Sequence, residues 1–438
     1  MHMRHAPVAR KQIHLAAYFP GSFDTTLWTD PACGSMIEFE SFERFARTAE
    51  RGRFDFVFLP EELSLRERHG RIYDQDVAGR PDNLTVLAAL AAVTDRIGLA
   101  STSNTTFNEP YELARQIASL DHLSGGRAAW NVVTSHTSVF GRNFRRGTYL
   151  PKRERYERAA EFVAVARALW DSHPADEGRF AHPGRHFGIR GAFTVPRGPQ
   201  GHPVLIQAGS SDEGREFAAA AADVVFSLFK DPDNARAFND DVKGRLARLG
   251  RRGRDLKGMP GASFVLGATP EEARERAEVI RHQQVRPQGA LAFLEKVWRR
   301  DLSSYDPYGP LPDIPPKVRS SGTARFQHEE RNQMEIVARW RRLSEERNLN
   351  IHQLVVELRG RQPLVGTPAQ VAELIHRYVQ SDVCDGFVLL PHLLPDGFDE
   401  FVDTVVPLLQ ERGSFRADYT GSTLRDHLSL PWPDGRSG

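Results

Sequence analysis

PVLIQAGSSDEGREFAAAAADVVF, residues 203–226, decides the fold of this chain. Val204–Gly209 opens as a near-continuous apolar run of strand length, interrupted by Gln207. Gly209, Ser210 and Ser211 make a small-residue turn, and an Ala-rich amphipathic segment, Glu213–Ala222, follows directly. A second apolar run starts at Asp223. Strand, turn, helix and strand in so little sequence describe a β/α unit of a parallel sheet, whose strands are covered on both faces and so read as unbroken hydrophobic runs. The turn has two readings. Ser210 or Ser211 caps the helix, or the exposed amides of the first helical turn, the two hydroxyls and the close approach allowed at Gly209 hold a phosphate. Asp212 and Glu213 favour capping, because they already complement the helix dipole.

The same alternation extends in both directions. The strand candidates are Gln12–Phe19, Asp55–Pro60, Ile97–Asn104, Ala128–Ser135, Val204–Gly209, Asp223–Phe229, Ala262–Ala268 and Gly386–Pro391. Helical patterns separate them: Phe39–Arg51, Asn83–Thr94 with Asn83 as its cap, Pro110–Leu123, Tyr156–Trp170, Glu213–Ala222, Asn234–Leu249, Pro270–Arg281, one capped by Thr367, and Phe398–Arg412. This pattern predicts an α/β fold, a (β/α)8 TIM barrel with large insertion segments, in preference to a doubly wound sheet. A bare barrel takes about 250 residues, so roughly 190 of the 438 belong to insertions. They fall at Leu63–Pro81, Thr137–Arg155, Asp171–His202 and Val285–Leu364. The last carries a Pro/Gly/Ser-rich stretch, Ser303–Gly322, and a charged helical run. It reads as a lid over the barrel mouth within a single domain, residues 1–438.

Function in such a barrel sits where the strands end. The ends selected are Pro60-Glu61-Glu62, Thr102–Thr106, Asn131–His136, Gly209–Ser211 and Pro391-His392. A Thr-rich strand end can simply saturate turn hydrogen bonds, and a lone histidine such as His136 is either a surface group or an acid/base. The charge run Arg145–Arg158 reads as a solvated loop and helix start.

Composition narrows the classes further. Lys and Arg number 58 against 57 Asp and Glu, for a net charge of +1, which disfavours a general nucleic-acid or membrane-surface binder. The two cysteines, Cys33 and Cys384, imply no disulfide framework. No apolar run has signal-peptide or membrane-span length, so a cytoplasmic protein is expected. G-x-G-x-x-G, the P-loop, G-x-S-x-G, C-x-x-C and H-E-x-x-H are all absent from the sequence, and no metal site is expected.

The chain resembles the flavin-dependent monooxygenases of the bacterial-luciferase-like barrel superfamily. The branch is the one containing nitrilotriacetate monooxygenase component A, pristinamycin synthase and dibenzothiophene-sulfone monooxygenase. The resemblance is carried by FDFVFLPEEL (54–63), IGLASTSNTTFNEPYELARQIASLDHLSGGRAAWNVVTS (97–135), RYERAAEFVAVARALWDS (155–172), PQGHPVLIQAGSSDEGREFAAAAADVVF (199–226) and DYTGSTLRDHL (418–428). It implies the oxygenase component of a two-component system, in which reduced FMN from a separate NAD(P)H:flavin reductase and O2 oxidise a small organic substrate. It also implies a homodimer or homotetramer. Carried over residue by residue, it places Ser210, Ser211 and Tyr156 at the FMN phosphate, and Thr102 and Asn131 near the flavin ring and the oxygen site, with His136 as an acid/base helper. Glu61 and Lys152 stand where this pattern usually has Asp and His, so their flavin contacts are expected to differ. A deazaflavin-dependent oxidoreductase of the same superfamily and a catalytically silent flavin-binding protein are the alternatives.

Overall fold

The structure is a computed structural model that describes residues 10–20, 26–27, 30–61, 63, 81–135, 143–144, 150–173, 179–229, 231–317, 324–359 and 363–433, without the side chains of Lys152 and residues 324–332. Eight parallel strands form the wall of a barrel. They are β1 His14–Tyr18, β2 Phe56–Leu59, β3 Gly98–Asn104, β4 Ala128–Val133, β5 Val204–Gln207, β6 Val224–Val225, β7 in two pieces, Lys257–Gly258 and Gly261–Leu266, and β8 Gly386–Leu390. Each pairs in parallel with the next, and β1 pairs with β8, His14 opposite Gly386. Pro260 separates the two pieces of β7. The seam beside it is held by Phe229 N donating to Gly261 O at 2.9 Å and Gly261 N donating to Ser227 O at 2.6 Å. All eight expected strands are present, and the expected barrel with them.

Side chains alternate across this wall. Ala16, Tyr18, Phe56, Phe58, Ala100, Ala129, Ile206, Val224, Phe226, Val388 and Leu390 share one apolar cluster inside the barrel. The opposite faces, among them Leu15, Val57, Leu99, Trp130, Leu205, Phe387 and Leu389, join the larger cluster beneath the helices. Leu424, Leu428 and Leu430 belong to the inner cluster, so the C-terminal segment plugs the N-terminal end of the barrel. The close fit is visible at Gly98 in β3, where an added Cβ would sit 2.6 Å from Leu424. The stretch 418–428, one of the family-like motifs, therefore does structural work. Thr423 and Asp426 make a capping box there, and Arg425 pairs with Asp223 at 3.3 Å.

Around the wall lie α1 Phe39–Arg51, α2 Asn83–Ala91, α3 Pro110–Leu123, α4 Lys152–Trp170, α5 Asp212–Ala221, α6 Pro232–Arg248 and α7 Pro270–Gln284. Then come α8 Pro287–Trp298, α9 Ala324–Arg347, α10 Ile351–Arg359 and α11 Pro368–Gln380. α12 Asp396–Thr404, α13 Val406–Glu411 and α14 Leu424–His427 complete the set. Two readings of the sequence need correction. The cap of α2 is Asp82, whose carboxylate accepts from Thr85 N at 2.8 Å, and Asn83 is already helical. The expected helix Phe398–Arg412 is two helices, with Pro407 in the first turn of the second, where its missing N–H costs nothing. The insertion Asp171–His202 contains an antiparallel hairpin, Phe180–Pro183 with Gly188–Gly191.

The segment expected as an insertion from Val285 has an apolar core of its own. Trp298, Trp340, Leu291, Leu294, Ile351, Leu354 and Val355 meet between α8, α9 and α10. Leu364–Gly366 then pairs in parallel with the C-terminal half of β7, Leu266 opposite Gly366, and α11 follows behind a Thr367–Gln370 capping box. The excursion thus leaves from the C-terminal end of α7, the helix that follows β7, and returns to the sheet beside β7. Together with α7 it forms one very long connection between β7 and α11.

Candidate active site

β3 and β4 pair with Thr102 opposite Asn131. Both lie an even number of residues beyond Ala100 and Ala129, which are inside the barrel, so both point inward, one layer nearer the mouth. They are buried, and Asn131 Nδ2 donates to Thr102 Oγ1 at 3.2 Å. In this orientation the two groups use one donor and one acceptor on each other. Thr102 keeps its hydroxyl proton, and Asn131 keeps Oδ1, a buried acceptor with no partner. The pair therefore offers one donor and one acceptor side by side. An unsatisfied acceptor of this kind is costly to keep in a folded protein and points to a ligand.

Two arginines of α4 shape this rim, and the reading of Arg145–Arg158 as solvated is wrong for them. Arg155 and Arg158 are 8% and 3% exposed. Their i, i+3 spacing puts them on the inner face of α4 with Tyr156 between them. Arg158 donates to Thr105 O at 3.0 Å and Asn108 O at 3.1 Å, and its guanidinium lies 4.3 Å from the Phe187 ring centre. Arg155 donates to Thr134 O at 3.1 Å and to Ser135 O. Ser135 sits in the left-handed region at φ 50°, so an arginine holds the end of β4 in a strained turn. Charge patterning alone could not show this, because a solvated arginine and a buried one bonding carbonyls look the same in sequence. Nearby, Phe144 stacks on Phe107 at 4.5 Å and Asn143 Nδ2 donates to Leu63 O at 2.6 Å, tying the loops after β2, β3 and β4 together.

At the end of β5, Ser211 is the N-cap of α5, its Oγ accepting from Gly214 N at 3.2 Å. Capping is therefore realised, and it leaves the Ser211 hydroxyl proton available. Ser210 is exposed. A Cβ on Gly209 would lie 2.7 Å from the Tyr156 hydroxyl, and one on Gly214 would lie 2.9 Å from it. The two glycines thus admit the phenol against the turn, as the position of Tyr156 in the sequence pattern implied. Asp212, whose charge argued against an anion, is neutralised by Arg245 at 2.6 Å. Arg215 donates to Ser210 O at 3.1 Å.

The other candidates divide. Glu61 is half-buried just beyond β2. His136 and Glu62 lie outside the described residues, as does the side chain of Lys152 in the first turn of α4. His392 is not at the mouth: it packs edge-on to Phe264 at 6.3 Å in the layer outside the barrel. Burial, with Arg276 adding to it, pushes its pKa down to about 4. Among the described residues no cluster of metal-ligating side chains occurs.

A closed β/α barrel that gathers small polar groups and an orphaned amide at its C-terminal face belongs to the class of barrel enzymes. Within it, the chain belongs to the luciferase-like monooxygenase family, whose profile matches residues 22–384. It is 40% identical to nitrilotriacetate monooxygenase component A of Aminobacter aminovorans over 90% of this chain and 91% of that one. It is 37% identical to N-acetyl-S-(2-succino)cysteine monooxygenase of Bacillus subtilis over 98% of each. Among solved structures, a riboflavin lyase crystallised with modified FMN and riboflavin superposes with a TM-score of 0.78 at 27% identity, covering 95% of this chain and 96% of that one.

Proposed function

We propose that this chain is the oxygenase component of a two-component monooxygenase, using reduced FMN and O2 to oxidise a small organic substrate. The observation that carries the reading is the Thr102–Asn131 pair, with its free donor and orphaned acceptor on the inner wall of the mouth. The edge of a flavin ring system alternates N–H and carbonyl groups and is complementary to such a pair. The turn after β5 suits the other end of the nucleotide, with two serine hydroxyls, the Tyr156 phenol and a helix N-terminus where Asp212, one of two acidic residues in the first turn, is paired with Arg245. The residues present fit FMN at both ends. When bound, reduced FMN supplies the electrons that divide O2 between product and water.

The protein contributes position and dryness. Ser210, Ser211 and Tyr156 hold the phosphate. Thr102 and Asn131 orient the ring and hold oxygen beside it by hydrogen bonds that cost no reorganisation. Arg155 and Arg158 keep the β3 and β4 ends fixed. The family resemblance assigns Glu61 and Lys152 to flavin binding and His136 to acid/base help. The helices of the 285–364 insertion act as a lid that excludes water. Electrons come from a separate NAD(P)H:flavin reductase, a division of labour suggested by a relative that is itself called a component.

The test supplies photochemically reduced FMN and 18O2 with a panel of amines, sulfones, thioethers and heteroaromatics, and reads products by mass spectrometry. One labelled oxygen atom in a product is expected. Turnover that proceeds unchanged without oxygen contradicts the reading.

A further inference from the structure

Beside the mouth, and outside the barrel wall, lies a second pocket. It sits between the ends of β1 and β2 and the helices α1 and α2, lined by Phe19, Met36, Phe42, Leu59, Val86 and Asn83. Phe19, Met36, Phe42, Leu59 and Val86 belong to the apolar layer between wall and helices. Among the described lining residues none is charged, and Asn83 carries the one polar side chain.

Asn83 is not the cap of α2, since Asp82 does that work. It is 5% exposed, and its Nδ2 donates to Thr102 O at 2.8 Å. A carbonyl can only accept, so this bond fixes the amide orientation. Oδ1 is left buried with no partner, on a residue that lines the pocket. An apolar cavity with one orphaned acceptor in its wall is complementary to an apolar group bearing one donor. Through Thr102, the same asparagine touches the pair that faces the barrel mouth.

We propose that this pocket is a substrate subsite, taking a neutral apolar arm that donates one hydrogen bond, from a hydroxyl or an amide N–H, to Asn83 Oδ1. The word substrate rests on the monooxygenase reading; the recognition itself does not. The subsite selects against carboxylate arms, which would enter an apolar space with no cation among its described lining residues. Asn83 thereby determines specificity while its other end positions the backbone of Thr102.

The pocket carries its own reporter. The chain has 5 methionines, and Met36 is the one in the wall. The full chain, flavin-free and labelled at its methionine methyl carbons, is titrated with butan-1-ol and with its isomer methyl propyl ether, which lacks the donor. Met36→Leu assigns the signal, and Met334, exposed on α9, is the internal control. Butan-1-ol is expected to move the Met36 signal and to bind about fivefold more tightly than the ether. Asn83→Leu should abolish that preference, and Val86→Phe, which fills the space, should abolish both shifts. A silent Met36 at about 0.1 M of either compound, where a small ligand of ordinary efficiency occupies its site, overturns the proposal. So does equal affinity for alcohol and ether in the native chain. Because no flavin is present, such a failure leaves the FMN reading intact, and a chain that fails to bind FMN leaves this result standing.

Discussion

At the residue scale, the account turns on single atoms left over after the protein has satisfied itself. Asn131 spends its amide N–H on Thr102 and keeps its oxygen free. Asn131→Ala is therefore expected to bind FMN within a few-fold of the native chain but to lower product formed per O2 consumed by about tenfold, the scale of one lost preorganised contact. Oxygen-electrode and product assays check this. Gly209→Ala acts at the other end. Its Cβ would meet Gln207 Nε2 at 2.5 Å, the Tyr156 hydroxyl at 2.7 Å and the Gly214 Cα at 3.1 Å, so the two side-chain ends move away and the first turn of α5 gives by a few tenths of an ångström without loss of the fold. FMN affinity should fall about tenfold, the loss of one charge-assisted hydrogen bond, with the far-ultraviolet dichroism unchanged. Much of this was legible in sequence: Thr102, Asn131, Tyr156, Gly209, Ser210 and Ser211 lie on adjoining elements at one end of the barrel. Asn83 was not, because an asparagine next to an aspartate at a helix start reads as a cap either way. Arg155 and Arg158 were hidden inside a charge run. Only packing separates a capping group from one that reaches a neighbouring strand.

At the element scale, the strands were legible because burial on both faces leaves continuous apolar runs, and the breaks were not. The hairpin at Phe180–Gly191 has exposed and half-buried residues and no hydrophobic period, so no pattern announced it. The C-terminal plug shows what an element contributes beyond its shape. His427 of α14 is 2% exposed, neither ring nitrogen has a partner, and burial pushes its pKa down to about 4 from the usual 6.5. The unfolded chain takes up this proton and the folded chain resists it, so stability falls as the pH drops from about 6.5 towards 4, by up to about 3 kcal/mol for this group. Asp121, raised by burial to about 6, works in the opposite direction, its contribution being lost as pH rises through that value. His427→Phe is expected to reduce the drop in melting temperature between pH 7.5 and pH 5, read by calorimetry. An unchanged drop places the acid sensitivity elsewhere, with His392 the next candidate.

At the scale of the whole molecule, one barrel is plugged at its N-terminal end by the segment around Leu424–Leu430 and carries a helical excursion with a separate core. No helix among the described residues is long and apolar enough to cross a membrane. Because the excursion has an apolar core of its own between α7 and the strand Leu364–Gly366, replacing residues 285–363 by a Gly/Ser linker should leave a folded barrel whose hydrogen peroxide yield per O2 rises several-fold. Unchanged coupling would remove the lid from the account. The central claim is that the mouth of this barrel binds reduced FMN with its phosphate at the turn after β5. Anaerobic titration calorimetry with reduced FMN tests it most directly, comparing the native chain with the Ser210→Ala/Ser211→Ala double variant. The account predicts one site per chain in the native protein and affinity at least about tenfold weaker in the variant, the worth of the lost hydroxyl donors. No binding heat in the native chain, or equal affinity in both, would contradict it.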